Sequence, residues 1–424
     1  MSESHASLFA HRDFMLFVGL RVLSNVGYHM QTVAVGWLMF ELTGDPLDLG
    51  LVGLVQFVPS VLLVLVVGQV ADRFDRRKVV LVARLAMGLA AALLSWALAS
   101  GNHAPGLLLG FVFWIGVVQA FHMPTAQAVT PTLVPPVLLA RAIALSSMGF
   151  RGSVIIGPMI GGFLILAGGW VVFAVGALIQ LLAALFVMQV KIARPTRLRD
   201  PVSRDTLWAG FRFIRERPVV LGAMSLDLFM VLLGGATALM PIFASEILQA
   251  GPSGLGLMRA APGVGSVLMA LWLLRNPLER RVGRLMFIAC GIYGLCTIAF
   301  GLSPNLPFAL VVLTILGAAD MINVVIRQSI VQLDTPDEMR GRVASVNVVA
   351  IGASIRLGEF ESGVTASWWG AIPATVVGGF GTLAVAVLWM RWFPALWRRE
   401  RLVAGEDAAV QDQSGKARQS GIPS

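Results

Sequence analysis

Long apolar stretches, separated by short polar segments, occupy most of the chain. A helix rises about 1.5 Å per residue, so about 20 apolar residues cross the roughly 30 Å of membrane hydrocarbon. Twelve stretches predict membrane-spanning helices, at 14–41, 47–70, 79–99, 106–130, 142–166, 170–190, 218–245, 254–274, 284–302, 306–330, 344–365 and 370–393. The sequence therefore predicts an all-α integral membrane protein with twelve transmembrane helices.

The composition agrees with lipid as the solvent for most of the surface. Of the 424 residues, 57% are hydrophobic and only 13% are charged, whereas a soluble domain is about 45–50% apolar and about 25% charged. The net charge of +9 does not indicate binding to nucleic acid, because the basic residues lie in turns between apolar stretches. A nucleic-acid site would need them on a water-facing patch. We expect no nucleic-acid partner.

The basic residues also predict the orientation in the membrane. When the loops are numbered by the helices that they connect, the even loops carry nineteen Lys or Arg residues and the odd loops carry none. Positive loops lie on the cytoplasmic side, so both termini are predicted to be cytoplasmic. A missed or additional helix would disturb this alternation, which therefore supports the count of twelve.

The longest loop divides the predicted helices into two sets of six. Apolar residues recur about one turn apart in this loop, which predicts an amphipathic helix at the membrane surface. The two six-helix bundles are predicted to be pseudo-symmetric. In chain order, the predicted units are an N-terminal cytoplasmic tail (1–13), the N-terminal six-helix bundle (14–190), the cytoplasmic linker (191–217), the C-terminal six-helix bundle (218–393) and a mostly disordered cytoplasmic tail (394–424).

One short loop has a more particular pattern than its charge requires. The run Gly68-Gln-Val-Ala-Asp-Arg-Phe-Asp-Arg-Arg-Lys connects the second and third predicted helices. It resembles the loop signature of the major facilitator superfamily, whose members carry small solutes across membranes. In that superfamily the loop holds the two halves together on the cytoplasmic side. The resemblance implies this gate role for Gly68, Asp72, Arg73, Arg76 and Arg77. The alternative is a loop that only follows the positive-inside rule.

The fifth predicted helix carries a second pattern of the superfamily. A proline inside a helix kinks it, and neighbouring glycines allow close helix packing. The segment resembles a motif that is typical of exporters and antiporters, formed here by Ser153, Gly157, Pro158, Gly161 and Gly162. Ser153 stands where the motif usually has glycine, and Asp75 likewise replaces a glycine of the loop signature. A general packing kink is the alternative.

Ionisable and polar residues inside the predicted helices are candidates for function, because charge within a membrane is costly. Some recur at three- or four-residue spacing and so share one helix face. The predicted cavity residues are Arg21, Asn25, His29, Asn323 and Arg327. Hydrogen bonds to neighbouring helices alone are the alternative. Arg84, near a helix end, is expected to extend to the membrane surface instead.

Three acidic residues, Asp227, Asp320 and Glu359, are candidates for proton coupling. A carboxylate held between desolvation and a nearby arginine can load and release a proton. Asp227 is the first choice, because no partner for it is evident in the sequence. For Glu359 the alternative is a structural ion pair with Arg356, one turn away.

Within the superfamily, four segments resemble the bacterial enterobactin-exporter-like and macrolide-efflux-like branch. They begin at Ala71, Leu133, Ala209 and Thr335. The resemblance implies a proton-coupled exporter of a small amphiphilic molecule, such as a siderophore or drug, in the bacterial inner membrane. The proton gradient would supply the energy, without a cofactor or metal. We expect a monomer in the lipid bilayer with a small-molecule substrate.

Other functions remain open at this point. An importer or a lipid-flipping transporter would have the same fold, and a membrane channel or a membrane enzyme would belong to a different class. No metal-ligand spacing, phosphate-binding loop or nucleophile elbow occurs in the sequence. We therefore expect no enzymatic activity.

Overall fold

Helices account for all the regular structure in the residues that the computed structural model describes, which are residue 8 and residues 11–63, 75–190, 204–235 and 237–402. The long helices are α1 (Arg12–Thr43), α2 (Pro46–Leu62), α3 (Arg76–Ala99), α4 (Pro105–Val129), α5 (Leu139–Ile165), α6 (Gly169–Gln189), α7 (Arg204–Glu216), α8 (Pro218–Leu233), α9 (Gly251–Arg275), α10 (Val282–Gly301), α11 (Leu306–Leu333), α12 (Asp337–Trp369) and α13 (Ala371–Trp392).

Eight described helices, namely α3, α5, α6 and α9 to α13, are long and apolar enough to cross a membrane. Three further apolar helical segments, in α2, α4 and α8, are shorter. The chain is therefore a multi-pass membrane protein. The count of twelve spans, their arrangement as two bundles and the domain bounds stay predictions.

Two crossings join the N-terminal helices (α1 to α6) to the C-terminal helices (α8 to α13): α2 packs on α12, and α5 packs on α9. Glycines meet at both crossings. A Cβ built on Gly162 of α5 would lie 2.9 Å from the Cα of Gly256 in α9. One built on Gly363 of α12 would lie 2.6 Å from the Cα of Gly50 in α2. Only glycine allows these backbones to approach so closely.

The helix α12 separates from the N-terminal helices towards its other end. Gly352, Glu359 and Gly363 share one face of α12, yet a Cβ on Gly352 would meet no atom within 4 Å. The interface between the N-terminal and C-terminal helices is therefore closed near the ends of α5 and α12. Along α12 it is open towards the residues at which the helix begins.

The predicted seventh span, 218–245, is not one continuous helix. The helix α8 ends before Gly234, and residues 240–247 form a separate short helical segment. A Cβ on Gly234 would lie 2.6 Å from the Cε1 atom of Tyr293. Neighbouring glycines weaken a helix, and here they also let the backbone pass close to an aromatic ring. These two effects explain the interruption.

The predicted amphipathic helix of the linker is present as α7, and it packs on α12. Trp208 and Phe211 are exposed and contact each other edge to face, with 5.8 Å between their ring centroids. Ile214 is buried. The exposed aromatic pair suits a membrane interface, and the position of α7 at the membrane surface stays a prediction.

The segment after α13 folds against the C-terminal helices as far as residue 402. The guanidinium of Arg399 binds both carboxylate oxygens of Asp334, at 2.5 and 2.8 Å. The backbone N–H of Gly283 donates to the carbonyl of Arg399 at 3.0 Å. These contacts join the ends of α10, α11 and α13. Residues 403–424, where disorder is predicted, lie outside the described residues.

Candidate functional site

Most of the predicted gate loop lies outside the described residues. This holds for Gly68, Asp72 and Arg73, and of Arg76 only the backbone is described. Arg77 is described, and its Nε donates to the carbonyl of Val187 at 3.1 Å. A second nitrogen of its guanidinium donates to the next carbonyl, that of Met188. Arg77 therefore binds the C-terminal end of α6, where the helix dipole favours a cation.

Asp75 gives the loop a helix cap in place of the superfamily's glycine. Its carboxylate accepts a hydrogen bond from the backbone N–H of Arg77 at 2.9 Å, which caps α3. The φ angle of Asp75 is −60°, so this position does not need the conformational freedom of glycine. The departure from the superfamily pattern is therefore compatible with the local backbone.

The glycines of the fifth-helix motif place α5 between α1 and α9. A Cβ on Gly157 would lie 2.7 Å from the Cβ of His29, and one on Gly161 would lie 2.6 Å from the carbonyl oxygen of Met30. Both neighbours belong to α1, whereas Gly162 faces α9. The motif thus positions one helix at the border between the N-terminal and C-terminal helices.

The other two residues of the motif lie inside α5. Ser153 is buried, and its hydroxyl donates to the carbonyl of Gly149 at 2.8 Å, with the carbonyl of Val22 in α1 at 3.2 Å. Pro158 lies within α5, which continues past it. The serine therefore has a packing role at the contact between α1 and α5.

A hydrogen-bonded network connects α1, α2 and α12 next to the closed end of the interface. The hydroxyl oxygen of Tyr28 lies 2.8 Å from Nη2 of Arg356 and 3.0 Å from Nε2 of Gln56. Nη1 of Arg356 also pairs with the carboxylate of Glu359 at 2.8 Å. The ion pair considered for Glu359 is present, and Tyr28 connects it to the N-terminal helices. We call Tyr28, Gln56, Arg356 and Glu359 the interface network.

Arg259 of α9 adds a further cation beside the interface network. Its Nη2 donates to the carbonyl of Thr237 at 3.3 Å, and its Nε has no hydrogen-bond partner among the described residues. Arg259 is attracted by Glu359 and repelled by Arg356. Arg259 and Arg356 are thus both attracted by the carboxylate of Glu359.

Loss of the Tyr28 hydroxyl should weaken closure of the interface. A hydrogen bond to a charged group contributes about 1.5–3 kcal/mol, so Tyr28→Phe should lower the ratio of closed to open molecules at least about tenfold. Spin labels at Glu41 and Ser367, both exposed near the closed end, report their separation. The native cysteines are buried, so the spin labels should react with the cysteines introduced at these two positions.

Tyr293→Phe is the matched control for this measurement. Tyr293 is the only other tyrosine of the chain, and its hydroxyl lies 3.5 Å from the carbonyl of Gly234 within the C-terminal helices. We expect its distance distribution to match that of the wild type. An unchanged distribution in Tyr28→Phe would contradict a role for Tyr28 in closure.

Asp227 forms a buried ion pair with Arg327. Its Oδ2 lies 3.2 Å from Nε of Arg327, and the two side chains are only 6% and 3% exposed. Nη1 of Arg327 also donates to the side-chain oxygen of Asn347 in α12 at 2.8 Å. The partner of Asp227, which was not evident in the sequence, is thus Arg327 of α11. The pair joins α8, α11 and α12.

Asp320 has a different environment from the other two acidic candidates. It interacts electrostatically with Arg327, with Asp227 and, across the interface, with Arg151 of α5. Within the described part of the chain it forms no hydrogen bond or ion pair. Asn323, on the same helix, is buried, and its Nδ2 lies 3.5 Å from the sulfur of Met230.

The predicted cavity residues of α1 have unequal environments. Asn25 donates to the carbonyl of Arg21 at 2.8 Å, so its amide is engaged within the helix. The ring of His29 packs edge to face on Tyr28 and Phe150, at centroid distances of 5.0 and 6.4 Å. Arg21 is half-buried and forms no hydrogen bond or ion pair with any described residue.

Arg84 does not extend to the membrane surface as expected. It is buried, and its Nη1 donates to Oε1 of Gln180 in α6 at 3.1 Å. Tyr28 and Gln56 are not among the residues predicted from the sequence, although their contacts link the N-terminal and C-terminal helices. Tyr28 lies two turns from Arg21 on the same face of α1, and that spacing was the available signal.

Comparisons with known proteins agree with this architecture. A family model described as "transmembrane secretion effector" matches residues 4–408. The chain is 29% identical over 333 residues to proteins named "Enterobactin exporter EntS" from Shigella boydii and Escherichia coli. Each alignment covers 76% of this chain and 77% of the relative.

Solved structures share the fold at lower sequence identity. A bacterial homologue of the human lysosomal transporter Spinster, in an inward-facing and occupied conformation, has a TM-score of 0.69 at 16% identity and covers 92% of this chain and 97% of its own. A bacterial homologue of the iron transporter ferroportin, in an inward-facing state, has a TM-score of 0.69 at 15% identity and covers 93% and 100%. These likenesses concern the fold alone.

Proposed function

Because the chain belongs to the transmembrane secretion effector family of the major facilitator superfamily, we propose that it is a proton-coupled exporter of a small amphiphilic molecule. Its relatives are transporters rather than enzymes. The proposal includes twelve spans in two six-helix bundles, cytoplasmic termini and a place in the bacterial inner membrane.

The observation that carries the proposal is the packing of the interface between the N-terminal and C-terminal helices. Gly162 and Gly363 lie in close contacts at one end, whereas Gly352, on the same face of α12 as Gly363, lies in open space. A carrier with alternating access exposes its site to one side at a time, while a conducting channel needs a path open at both ends. With the basic loops at the cytoplasm, the open end faces the cytoplasm.

Asp320 is the carboxylate best suited to proton coupling. Asp227 and Glu359 each form an ion pair with an arginine, and protonation would break that pair. Asp320 forms no such pair among the described residues, and it lies within the field of Arg151 across the interface. A proton on Asp320 would therefore change the attraction between the N-terminal and C-terminal helices with little loss of local structure.

The names of the relatives support export and a siderophore-like substrate, since they are enterobactin exporters. We expect everted vesicles that contain the chain to accumulate enterobactin when a proton gradient is applied. An uncoupler should abolish this uptake. Asp320→Asn should reduce gradient-driven uptake at least about tenfold, as is typical for loss of a group that transfers a proton.

Asp337→Asn is the control, since Asp337 is an exposed carboxylate outside the interface. It should transport like the wild type. Uptake that is indifferent to the uncoupler would contradict proton coupling. Accumulation by intact cells would indicate an importer, and unitary conductance in planar bilayers would indicate a channel.

A further inference from the structure

Arg151 of α5 lies on the face of this helix that packs on α9. Ile155 and Gly162 of α5 contact α9; a Cβ on Gly263 of α9 would lie 2.8 Å from Cγ1 of Ile155. Arg151 is one turn before Ile155 and therefore lies on the same face of the helix. Arg151 also interacts electrostatically with Asp320 of α11. Its guanidinium therefore faces the C-terminal helices.

Arg21 of α1 faces the same region. It precedes Tyr28 by two turns on one helix face, and the hydroxyl of Tyr28 reaches Arg356 of the C-terminal helices. Arg21 is half-buried. It has neither a hydrogen bond nor an ion pair with any residue that the structure describes. A cation in this position needs compensation, because its hydration is incomplete.

The two arginines flank one contact between α1 and α5. Val22, next to Arg21, packs against Gly149, where a Cβ would lie 2.6 Å from Cγ2 of Val22. The hydroxyl of Ser153 lies 3.2 Å from the carbonyl oxygen of Val22. Gly149 and Ser153 thus face α1, whereas Arg151, two residues from each, lies on the face of α5 that is turned to the C-terminal helices. The two arginines therefore lie at the same level of the neighbouring helices α1 and α5.

The charge in this part of the interface is unbalanced. The described helices α1 to α6 carry acidic residues only near helix ends, at Asp13, Glu41 and Asp48. One carboxylate, that of Asp320, interacts with Arg151 across the interface. Asp320 compensates at most one of the two arginines. A net positive charge remains on the side of the N-terminal helices.

We propose that Arg21 and Arg151 bind the anionic group of the transported molecule, so that the substrate is an anionic amphiphile with a carboxylate, phosphate or catecholate group. The planar guanidinium forms paired hydrogen bonds with such groups, and the apolar body of the substrate contacts the surrounding helices. This inference rests on the proposed transport function. Export of an anion from an electrically negative cytoplasm is also favoured by the membrane potential.

The test compares two fluorescent probes that differ only in charge: dansyl-undecanoate and its uncharged methyl ester. With the purified full chain in uncharged detergent, the carboxylate should bind at least about tenfold more tightly than the ester, a factor of about 1.4 kcal/mol. Arg21→Gln and Arg151→Gln should each lose most of this preference while binding the ester as the wild type does. Arg151→Lys should retain part of it, because the charge remains.

Arg141→Gln is the matched control, since Arg141 is an exposed arginine of the same helix. It should keep the full preference for the carboxylate. Equal affinity of the wild type for both probes, including no affinity for either, would overturn the proposal. So would an unchanged preference in both arginine variants.

Two further measurements make two distinctions. The first distinguishes a lipid headgroup from a free amphiphile as the bound anion, and the second distinguishes failure of the transport proposal from failure of the anion site. The first measurement adds anionic phosphatidylglycerol to nanodiscs that contain the protein. If this lipid lowers the affinity for the probe in the wild type but not in Arg151→Gln, a lipid headgroup is the bound anion. Absence of this competition identifies a free amphiphile. Selective binding of the carboxylate without gradient-driven uptake would support the anion site and contradict the exporter.

Discussion

Asp227→Ala should destabilise the protein by about 3–5 kcal/mol, because it leaves Arg327 as an uncompensated buried charge. The two side chains are almost fully buried, and the ion pair connects α8 to α11. Thermal and denaturant unfolding of the purified chain in detergent measure the change. The double variant Asp227→Ala, Arg327→Met should recover much of the loss, because both charges are then absent.

Asp337→Ala is the control for this prediction, because it removes the same kind of side chain from an exposed pair. Asp337 lies 2.6 Å from Arg340, and the two side chains are 84% and 55% exposed. Exposed pairs contribute about 0–1 kcal/mol, so the control should change stability little. A loss in Asp227→Ala no larger than in the control would contradict a stabilising pair.

The same variants also separate the two acidic candidates for coupling. Asp227→Asn preserves the shape of the side chain and removes its charge, so we expect reduced stability as its main effect. Asp320→Asn should instead leave stability nearly unchanged and reduce gradient-driven transport at least about tenfold. The opposite result, with transport lost only in Asp227→Asn, would return Asp227 to the coupling role.

Short-range features of the sequence predicted much of the structure. The apolar stretch 306–330 corresponds to the helix Leu306–Leu333, and the stretch 79–99 to the helix Arg76–Ala99. The length and hydropathy of an apolar stretch are enough to predict a membrane-spanning helix. The Arg356–Glu359 pair was also evident, since residues three apart on a helix are neighbours. Local spacing was sufficient for these features.

Contacts between distant segments were not evident from spacing. Asp227 and Arg327 meet because α8 packs on α11, and the side chains of Tyr28 in α1 and Arg356 in α12 meet although these residues are far apart in the sequence. No local rule relates such positions, and the break at Gly234 likewise depends on a ring from α10. The charged residues were therefore identified individually, while their pairing required the tertiary structure.

Gly162→Leu should prevent the closed packing of α5 on α9. Its Cβ would lie 2.5 Å from the carbonyl oxygen of Pro252 and 2.9 Å from the Cα of Gly256. Both are backbone atoms, so the helices themselves must separate. Overpacking of this kind costs about 1–3 kcal/mol or more, which lowers the ratio of closed to open molecules about tenfold to a hundredfold. Labels at Glu41 and Ser367 should therefore report a longer separation.

Gly152→Leu provides the control on the same helix, because a side chain at Gly152 meets no atom within 4 Å. It has the same loss of glycine and the same added side chain, so its distance distribution should match the wild type. Circular dichroism should show equal helix content in both variants, which distinguishes a shift in the interface from unfolding. If Gly162→Leu kept the wild-type separation, the crossing of α5 and α9 would not control closure. The asymmetry of the interface would then need another cause, for which the α2–α12 crossing at Gly50 and Gly363 is the next candidate.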